Sequence, residues 1–481
     1  MIATLVPLAL FLIVYSLYTF SRRKFSYWEK KKIPHLPPST LFGNYASFIL
    51  QKENVGNATL KLCEAFPDAP LIGAYYGTEP SLIVKDPELI KLIATKDFYY
   101  FSGREVSDYS HRETLTRNLF FTSGDRWKAL RQNLSPIFSS SKMKSMFPLI
   151  EKCSLVFENM LDRELEKSSI LEMKSTLSRF TMDCICSCSF GVETKTMEVT
   201  ENNVFKTMGD LVMDCRAYPA LKNTVRAMWP SIFYGLGLRA FPKEVDNFFS
   251  KLLTKVFEDR SYQPTNRNDF IDYMLKMNVE IDDKFLVAQC VLFFVAGYET
   301  SSTALTFTLF ELAKHPEKQE KALADVDAYL RRHDNKLKYE CISETQYLEA
   351  CVDEALRLYP VLGVVTREVM EDYVFPSGLK VEKGLPIHLP LYYLHQNPDF
   401  FPDPKEYRPE RFYGEERKNI KPYTYIPFGE GPRICIGMLL FSFCMNTNLV
   451  FDSKTLVTQP IEGIRLKFIE REGWQTRLFA K

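Results

Sequence analysis

The chain has 481 residues, 46% of them hydrophobic, and a formal net charge of +1. This length and apolar content can build a large core, and the near-zero charge argues against a nucleic-acid binder, which would usually be basic. The 11 cysteines are odd in number and irregularly spaced, which argues against a disulfide framework and favours a reducing compartment.

An uncharged apolar run opens the chain, and basic residues follow it at once. Residues 1–20 read MIATLVPLALFLIVYSLYTF, and residues 21–24 read SRRK. The run is close to the roughly 20 residues needed to cross a bilayer, and it lacks the positive start and small-residue cleavage site of a signal peptide. We therefore predict a transmembrane anchor over residues 1–21, with a cleaved signal as the alternative. Because the basic residues follow the span, the body is expected in the cytosol.

A basic and proline-rich hinge is predicted over residues 22–40. It contains PHLPP, whose adjacent prolines Pro37 and Pro38 form a stiff extended piece that would hold the body at a set angle to the anchor. The body, residues 41–481, has no Gly/Ser-rich or Pro-rich linker. We therefore predict one domain, although length alone would allow about three.

Helical periodicity dominates the body from about residue 80 to residue 321. Asp86 followed by Pro87 marks a helix start. The segment SGDRWKALRQNLSPIF places Trp127 and Arg131 four residues apart, on one face of a helix.

The stretch LEMKSTLSRFTMDCICSCSF, residues 171–190, is predicted to form a long amphipathic helix that ends at Gly191. Its cysteines Cys184, Cys186 and Cys188 invite comparison with a metal site. Their alternating spacing matches none of the usual zinc patterns, and no histidine is nearby. We predict that they pack in the core as small hydrophobes.

The segment MWPSIFYGLGLRAFP, residues 228–242, is aromatic, apolar and interrupted by prolines. It fits two locations equally well: the protein core, or a surface that dips into the membrane interface, where Trp and Tyr tend to lie.

The longest apolar run of the body covers residues 284–317. Glu299 and the hydroxyl-bearing residues after it argue against a second membrane span, because ionisable groups are costly in lipid. We predict the central helix of a large core, with a polar notch in its middle. After residue 360, alternating segments separated by Gly and Pro indicate short strands, so the fold class is mainly α with small β-sheets.

A crowded turn, YIPFGEGPRICIG at residues 425–437, surrounds Cys435 with three glycines and two prolines. Neither a disulfide nor a buried structural thiol needs so stiff a turn. A phosphate-binding glycine loop is disfavoured, because position 434 is Ile and no helix-opening GK[ST] follows. So stiff a turn indicates that the Cys435 side chain must be held in a fixed position.

Five motifs together resemble the cytochrome P450 mono-oxygenases, most of all the insect microsomal detoxifying members. They are WKALR at 127–131, AGYET at 296–300, EALR at 354–357, RPERF at 408–412 and FGEGPRICIG at 428–437, which is similar to the family's haem-thiolate loop. The resemblance extends from the anchor to Gly437. It implies the P450 fold behind an N-terminal membrane-anchor helix, with residues 41–481 as the catalytic domain.

The resemblance implies haem b, iron protoporphyrin IX, with the Cys435 thiolate as the iron ligand. Around Cys435, Gly429 and Gly437 would let the backbone approach the ring, and Phe428 would shield the loop. The haem propionates are expected to be bound by the arginine and tryptophan side chains of Arg433, Arg131, Arg367 and Trp127, since the guanidinium fork pairs with carboxylates.

In the AGYET motif, the resemblance implies that Ala296 and Gly297 leave room for dioxygen. Thr300 is expected to hydrogen-bond to dioxygen, and Glu299 to relay protons from water.

Three further motif residues are expected to be structural. Glu354 and Arg357 share one helix face, and the resemblance adds Arg411 to make a buried cluster under the haem. The alternative is an exposed ion pair that contributes almost nothing.

Substrate contacts implied by the resemblance are mostly apolar, and each is equally well explained as core. They are the loop between Phe98 and Phe121, Phe293, Phe294, residues 361–365 and the last hairpin near 457–461.

The function implied is insertion of one oxygen atom from O2 into lipophilic xenobiotics, such as plant toxins or insecticides, at the endoplasmic reticulum membrane. The implied electron donor is NADPH–cytochrome P450 reductase, with cytochrome b5 as a second partner. A basic surface around Lys128 and Arg131 is expected to meet the acidic reductase.

After Gly437 the family pattern breaks, because MLLFSFCMNTN stands where the family has a helix of several turns and a long connection. A catalytically inactive, shortened relative therefore stays open as an alternative to the detoxifying enzyme. A P450 that acts on an endogenous hormone or fatty acid is a further alternative, which would differ only in the shape of its pocket.

Overall fold

The computed structural model describes residues 15–16, 18–104, 106–199, 202–214, 216–276, 283–334, 336, 338–438 and 464–468. Helices predominate in this part of the chain. The α-helices, numbered in chain order, are α1 Tyr27–Lys30, α2 Ala46–Ile49, α3 Val55–Glu64, α4 Pro87–Lys91, α5 Gly124–Leu134, α6 Ser140–Lys167, α7 Met173–Phe190, α8 Val204–Val212, α9 Ala217–Met228, α10 Pro230–Gly235, α11 Lys243–Asp259, α12 Phe270–Leu275, α13 Asp283–Lys314, α14 Pro316–Arg332, α15 Cys341–Glu344, α16 Gln346–Leu358 and α17 Leu391–Gln396.

The strands of the described residues form three small sheets. They are β1 Leu71–Tyr76, β2 Glu79–Val84, β3 Ile170–Glu172, β4 Val365–Glu368, β5 Tyr373–Val374, β6 Lys380–Val381, β7 Pro386–Leu389 and β8 Arg465–Lys467. The largest sheet has the order β1-β2-β7-β4, with β2 and β7 parallel and the outer pairs antiparallel. The other two are the antiparallel pairs β3–β8 and β5–β6. The predicted fold class, mainly α with small sheets, is confirmed.

Helix α13 is the central helix of the core, as its continuous apolar sequence predicts. Over Lys284–Lys314 it is long and apolar enough to cross a membrane, and among the described residues it alone passes that test. It is nevertheless mostly buried in the protein, since it packs along α7 and also against α16. Its buried Gln289 accepts the N–H of Leu119 and donates to the carbonyl of Arg117, which satisfies a polar group inside the core.

Helix α7 is buried more completely than the amphipathic prediction allowed. Every residue from 180 to 190 is buried, because the helix lies between α13 and α6. The predicted end is confirmed, since Gly191 has φ +64°, a left-handed conformation that favours glycine. Cys184, Cys186 and Cys188 are buried free thiols within the largest apolar cluster, as predicted for core packing.

The predicted hinge packs against the globular body. Trp28 is fully buried, and its indole N–H donates to the carbonyl of Ala74 at 2.8 Å. The carbonyl of Pro34 accepts the N–H of Gly73 at 2.9 Å, so the proline segment lies along β1. The predicted anchor, residues 1–21, lies mostly outside the described residues. Residues 18–24, which cover its end and the start of the hinge, are helical.

The core interpretation of residues 228–242 holds for part of the segment. Met228 and Phe233 are buried in the protein. Ile232 and Leu236 are 54% and 72% exposed, and the neighbouring α9 adds exposed Tyr218 and Leu221. One side of the segment is therefore core, and the other is an apolar surface.

Candidate active site

The turn that carries Cys435 is fixed by its own backbone. The N–H of Cys435 donates to the carbonyl of Phe428 at 2.9 Å, and the N–H of Ile434 donates to the carbonyl of Gly431, also at 2.9 Å. Gly429 and Gly431 have φ of +73° and +72°, which favour glycine. A Cβ at Gly431 would lie 1.8 Å from the carbonyl oxygen of Ala94, so this glycine is also required by close packing.

The Cys435 side chain is accessible, although it lies deep enough for burial to raise the pKa of its thiol. The Gly437 N–H donates to the sulfur and, with the Arg131 charge, opposes that rise in pKa. The sulfur thus has an N–H donor and a guanidinium nearby, and both stabilise a thiolate.

Arg433, two residues before Cys435, binds four backbone carbonyls. They belong to Ser102 at 2.9 Å, Leu119 at 3.3 Å, Phe120 at 3.4 Å and Thr122 at 2.6 Å. Its guanidinium also stacks on Trp127, 4.5 Å from the ring centroid. Burial, followed by the charges of three neighbouring arginines, lowers the pKa of Arg433 to about 8. Most of its N–H groups are therefore committed to the protein.

Arg367 is fully buried, and not all of its N–H donors have an acceptor among the described residues. Its Nη1 donates to the carbonyl of Thr366 at 2.9 Å, and its Nε has no acceptor among the described residues. Burial, followed by the charge of Arg104, holds the pKa of Arg367 well below its usual range. Such a site indicates a bound anion, because a buried cation is costly until it is paired.

Arg104 is a member of this cluster that the sequence motifs missed. Its guanidinium lies over the ring of Phe120 at 4.5 Å, and its charge lowers the pKa values of both Arg367 and Arg433. Arg104, Arg131, Arg367 and Arg433 thus converge beside Cys435. No motif surrounds Arg104, and only the folded chain brings this loop residue to the others.

A second group of predicted residues lies on one face of α13. Ala296 is exposed and Thr300 half-buried, although most residues of α13 between 286 and 308 are buried. The Thr300 hydroxyl donates to the carbonyl of Ala296. Ala304, one turn further along the same face, packs with Leu356 and Val361, and Phe428 of the cysteine turn contacts this cluster. Phe428 therefore joins the turn to the face that carries Thr300.

Glu299 and Gly297 point elsewhere, towards α7. Glu299 Oε1 lies 2.8 Å from Nζ of Lys174, which also donates to the hydroxyls of Ser302 and Thr303. A Cβ at Gly297 would lie 2.7 Å from side-chain atoms of Ile185. The small size of Gly297 thus allows close packing of α13 on α7, and the room for dioxygen beside it stays a prediction.

The structure brings Glu354, Arg357 and Arg411 together in a buried cluster. Arg357 binds Glu354 through two parallel hydrogen bonds of 2.7 and 2.8 Å, and both side chains are 0% exposed. Arg411 Nε lies 3.4 Å from Glu354 Oε1. Arg357 Nη1 also donates to the carbonyls of His395 and Pro404, so the cluster joins α16 to the segment before the cysteine turn.

The predicted substrate contacts divide into surface and core. Phe293 and Phe294 are buried in the helical core, which is the alternative given for them, and their rings contact Phe270 and Phe249. On the Ala296 face, Leu292 has accessible surface instead. The loop from Phe98 to Phe121 is described, and the hairpin near 457–461 lies outside the described residues.

A protein-family model described as Cytochrome P450 matches residues 34–449. The chain is 34% identical to Cytochrome P450 6B6 of Helicoverpa armigera over 449 residues, which is 90% of this chain and 88% of that protein. It is 32% identical to Cytochrome P450 6B2 of the same organism, over 97% of this chain and 98% of that protein. It is also 32% identical to Cytochrome P450 6k1 of Blattella germanica, over 93% and 91% of the two chains.

Proposed function

The chain belongs to the cytochrome P450 family, and on this premise we propose that it is a haem-thiolate mono-oxygenase that oxidises lipophilic xenobiotics such as plant toxins or insecticides. The observation that carries the proposal is the convergence of four arginines beside an accessible, backbone-held cysteine. The similarity to insect P450s supports the assignment to xenobiotics.

The residues present fit haem. Arg367 has an Nε without an acceptor, and it shares its buried surroundings with the charges of Arg104 and Arg433, as a site for two propionate groups requires. Cys435 would supply the iron ligand. Trp127 and Arg131 would complete the propionate site. Bound in this way, haem supplies an iron centre whose thiolate ligand favours cleavage of the O–O bond.

Thr300 and Glu299 of α13 would deliver protons to the proposed oxygen site. The Thr300 hydroxyl is positioned by the carbonyl of Ala296 and can still accept a hydrogen bond. Glu299 is ion-paired with Lys174, so it would have to leave that cation to carry a proton from water to Thr300. Lys174 would thereby control the availability of this carboxylate.

The proposed location is the cytosolic side of the endoplasmic reticulum membrane, held by the predicted anchor over residues 1–21. The exposed apolar residues Tyr218, Leu221, Ile232 and Leu236 would contact the bilayer surface. NADPH–cytochrome P450 reductase, and in some reactions cytochrome b5, would supply electrons at the surface near exposed Lys128.

A reduced carbon monoxide difference spectrum tests the proposal directly. The purified chain should bind one haem and give the long-wavelength Soret band of a thiolate-bound haem iron. Cys435→Ala should abolish that band. The matched control is Cys63→Ala, which removes a buried thiol of α3 and should leave the band unchanged.

An unchanged band in Cys435→Ala would refute the ligand assignment. A folded protein that takes up no haem would instead favour the inactive relative. Turnover of a mixed panel of plant toxins, insecticides, steroids and fatty acids would then test the substrate class.

A further inference from the structure

Glu113 is a buried carboxylate in the loop that precedes α5. It is 4% exposed and lies between the 3-10 helices Ser107–Arg112 and Thr114–Thr116. Its two oxygens accept the backbone N–H groups of Ala240, at 2.8 Å, and Phe241, at 3.3 Å. A charged group therefore joins this loop to a segment 127 residues further along the chain.

Other contacts join the same two parts of the chain. Tyr109 stacks on Tyr234 with centroids 5.5 Å apart, and its hydroxyl is hydrogen-bonded to Ser231. Arg226 lies 5.1 Å from the ring centroid of Phe121 and donates to the Tyr234 hydroxyl at 2.8 Å. The loop is thus attached to α9, α10 and the connection before α11.

The base of the loop is held by a different residue. Arg433 binds the carbonyls of Ser102 and Thr122, which are the two ends of the 102–122 loop. Leu119, inside the loop, donates to Gln289 of α13 at 3.0 Å. Gln289 lies seven residues before Ala296, so both residues occupy the same face of the helix. The loop therefore packs against the helix face that carries Ala296 and Thr300.

We propose that Glu113 is a positioning residue that holds the 102–122 loop and the 229–241 segment together as a closed cover over the active site. The opening of this cover then sets the rate at which bulky ligands enter and leave. The inference rests on the proposed function for its ligand, because the cover lies over the proposed haem site. Glu113 itself need not contact the substrate.

The buried carboxylate is well suited to this task. Its acceptors satisfy two main-chain donors that would otherwise be left buried and unpaired when the loop is closed. Opening breaks both charge-assisted hydrogen bonds at once, so they favour the closed state without a covalent link. Removing the carboxylate should raise the open fraction by about tenfold, as loss of charge-assisted hydrogen bonds would.

Ligand kinetics on the haem-containing full chain test the proposal. The probes are 4-phenylimidazole, a bulky ligand of haem iron, and carbon monoxide, a small one. Glu113→Ala should raise both the association and the dissociation rate of 4-phenylimidazole by about tenfold and leave its Kd nearly unchanged. The carbon monoxide rate should change much less. Glu113→Gln keeps one acceptor oxygen and should give intermediate rates.

The matched control is Asp108→Asn, which removes an exposed carboxylate from the same loop and should leave all rates unchanged. Hydrogen exchange gives a second readout that needs no haem ligand. The amides of Ala240 and Phe241 should exchange faster in Glu113→Ala.

Unaltered 4-phenylimidazole rates together with unaltered exchange at these two amides would overturn the proposal. A weakened Kd with unchanged association would also overturn it, because it would indicate a general distortion of the pocket. A chain that gives no thiolate-type carbon monoxide band contradicts the proposed function instead, and hydrogen exchange still decides whether Glu113 holds the cover.

Discussion

Lys174 Nζ lies 2.8 Å from Glu299 Oε1, and this ion pair joins the first turn of α7 to the middle of α13. The two side chains are 14% and 8% exposed. The same ammonium group donates to the hydroxyls of Ser302 and Thr303 at 2.6 and 2.9 Å. The acidic residue of the AGYET motif is therefore held away from the face that carries Ala296.

Lys174→Met should leave Glu299 as a buried charge without its cation. We expect the free energy of unfolding in urea to fall by about 3 kcal/mol, as for other broken buried pairs. The double variant Lys174→Met with Glu299→Gln removes both charges and should recover most of the loss. A double variant as unstable as Lys174→Met would show that packing, and not the charge pair, is responsible.

Glu354→Ala should be among the most destabilising single substitutions. It leaves Arg357 buried with no carboxylate, and we expect a loss of about 3–5 kcal/mol in the free energy of unfolding. The control is Asp210→Ala, which breaks the exposed pair of Lys206 and Asp210 and should cost less than about 0.5 kcal/mol. Similar losses in the two variants would contradict a special role for burial.

Arg367→Met should have opposite effects with and without haem. In the haem-free chain it removes a buried, poorly paired cation, so the free energy of unfolding should rise. In the haem-containing chain it removes a propionate donor, so haem transfer to apomyoglobin should become about tenfold faster. Arg331 is exposed, so Arg331→Met is the control. It should change neither the free energy of unfolding of the haem-free chain nor the rate of haem transfer. Equal destabilisation of both forms would argue against a propionate role.

Gly431→Ala should disrupt the cysteine turn. The substitution combines a left-handed φ of +72° with a Cβ 1.8 Å from the Ala94 carbonyl oxygen. Gly378 has φ +83° and no atom within 4 Å of a Cβ, so Gly378→Ala isolates the backbone conformational cost, about 1–2 kcal/mol. We expect Gly431→Ala to lose more stability than this, and to lose haem, in thermal unfolding and absorbance measurements. Equal losses would mean that Ala94 moves away.

His395 should make stability depend on pH below 6.5. Burial, followed by the charge of Arg357, lowers the pKa of His395 to about 3, and its Nε2 accepts the N–H of Ile426 at 3.2 Å. The folded chain thus resists protonation, whereas the unfolded chain takes up the proton at about pH 6.5. The stability that the neutral ring contributes is complete above pH 6.5 and is lost as pH falls towards 3.

Urea unfolding at pH 6.5 and 4.5 measures this effect. The wild type should lose about 2.3 kcal/mol more than His395→Gln over that interval. His111→Gln, which removes an exposed histidine, should show the wild-type dependence. Parallel pH curves for wild type and His395→Gln would contradict the depressed pKa.

Local features of the fold were readable from the sequence, and long-range ones were not. Asp86 accepts the N–H of Leu89 at the start of α4, and Gly191 ends α7, because caps involve neighbouring residues. Lys174 and Glu299 are 125 residues apart, and no local pattern relates them.

The sequence also did not reveal which way the side chains of α13 point. A helix that is apolar nearly all round gives no amphipathic signal, so the sequence does not reveal that Gly297 packs on Ile185 or that Phe293 lies in the core. Arg104 lies in a loop without periodicity, and its place in the arginine cluster follows only from the folded chain.

The carbonyls bound by Arg433 also determine when the 102–122 loop can close during synthesis. Thr122 and Ser102 precede Arg433 by 311 and 331 residues. The ribosome therefore releases most of the chain before the guanidinium that joins the two ends of the loop is available. The contact that joins the two ends of the loop is therefore a late event in synthesis, and a nascent chain that stops short of position 433 lacks it.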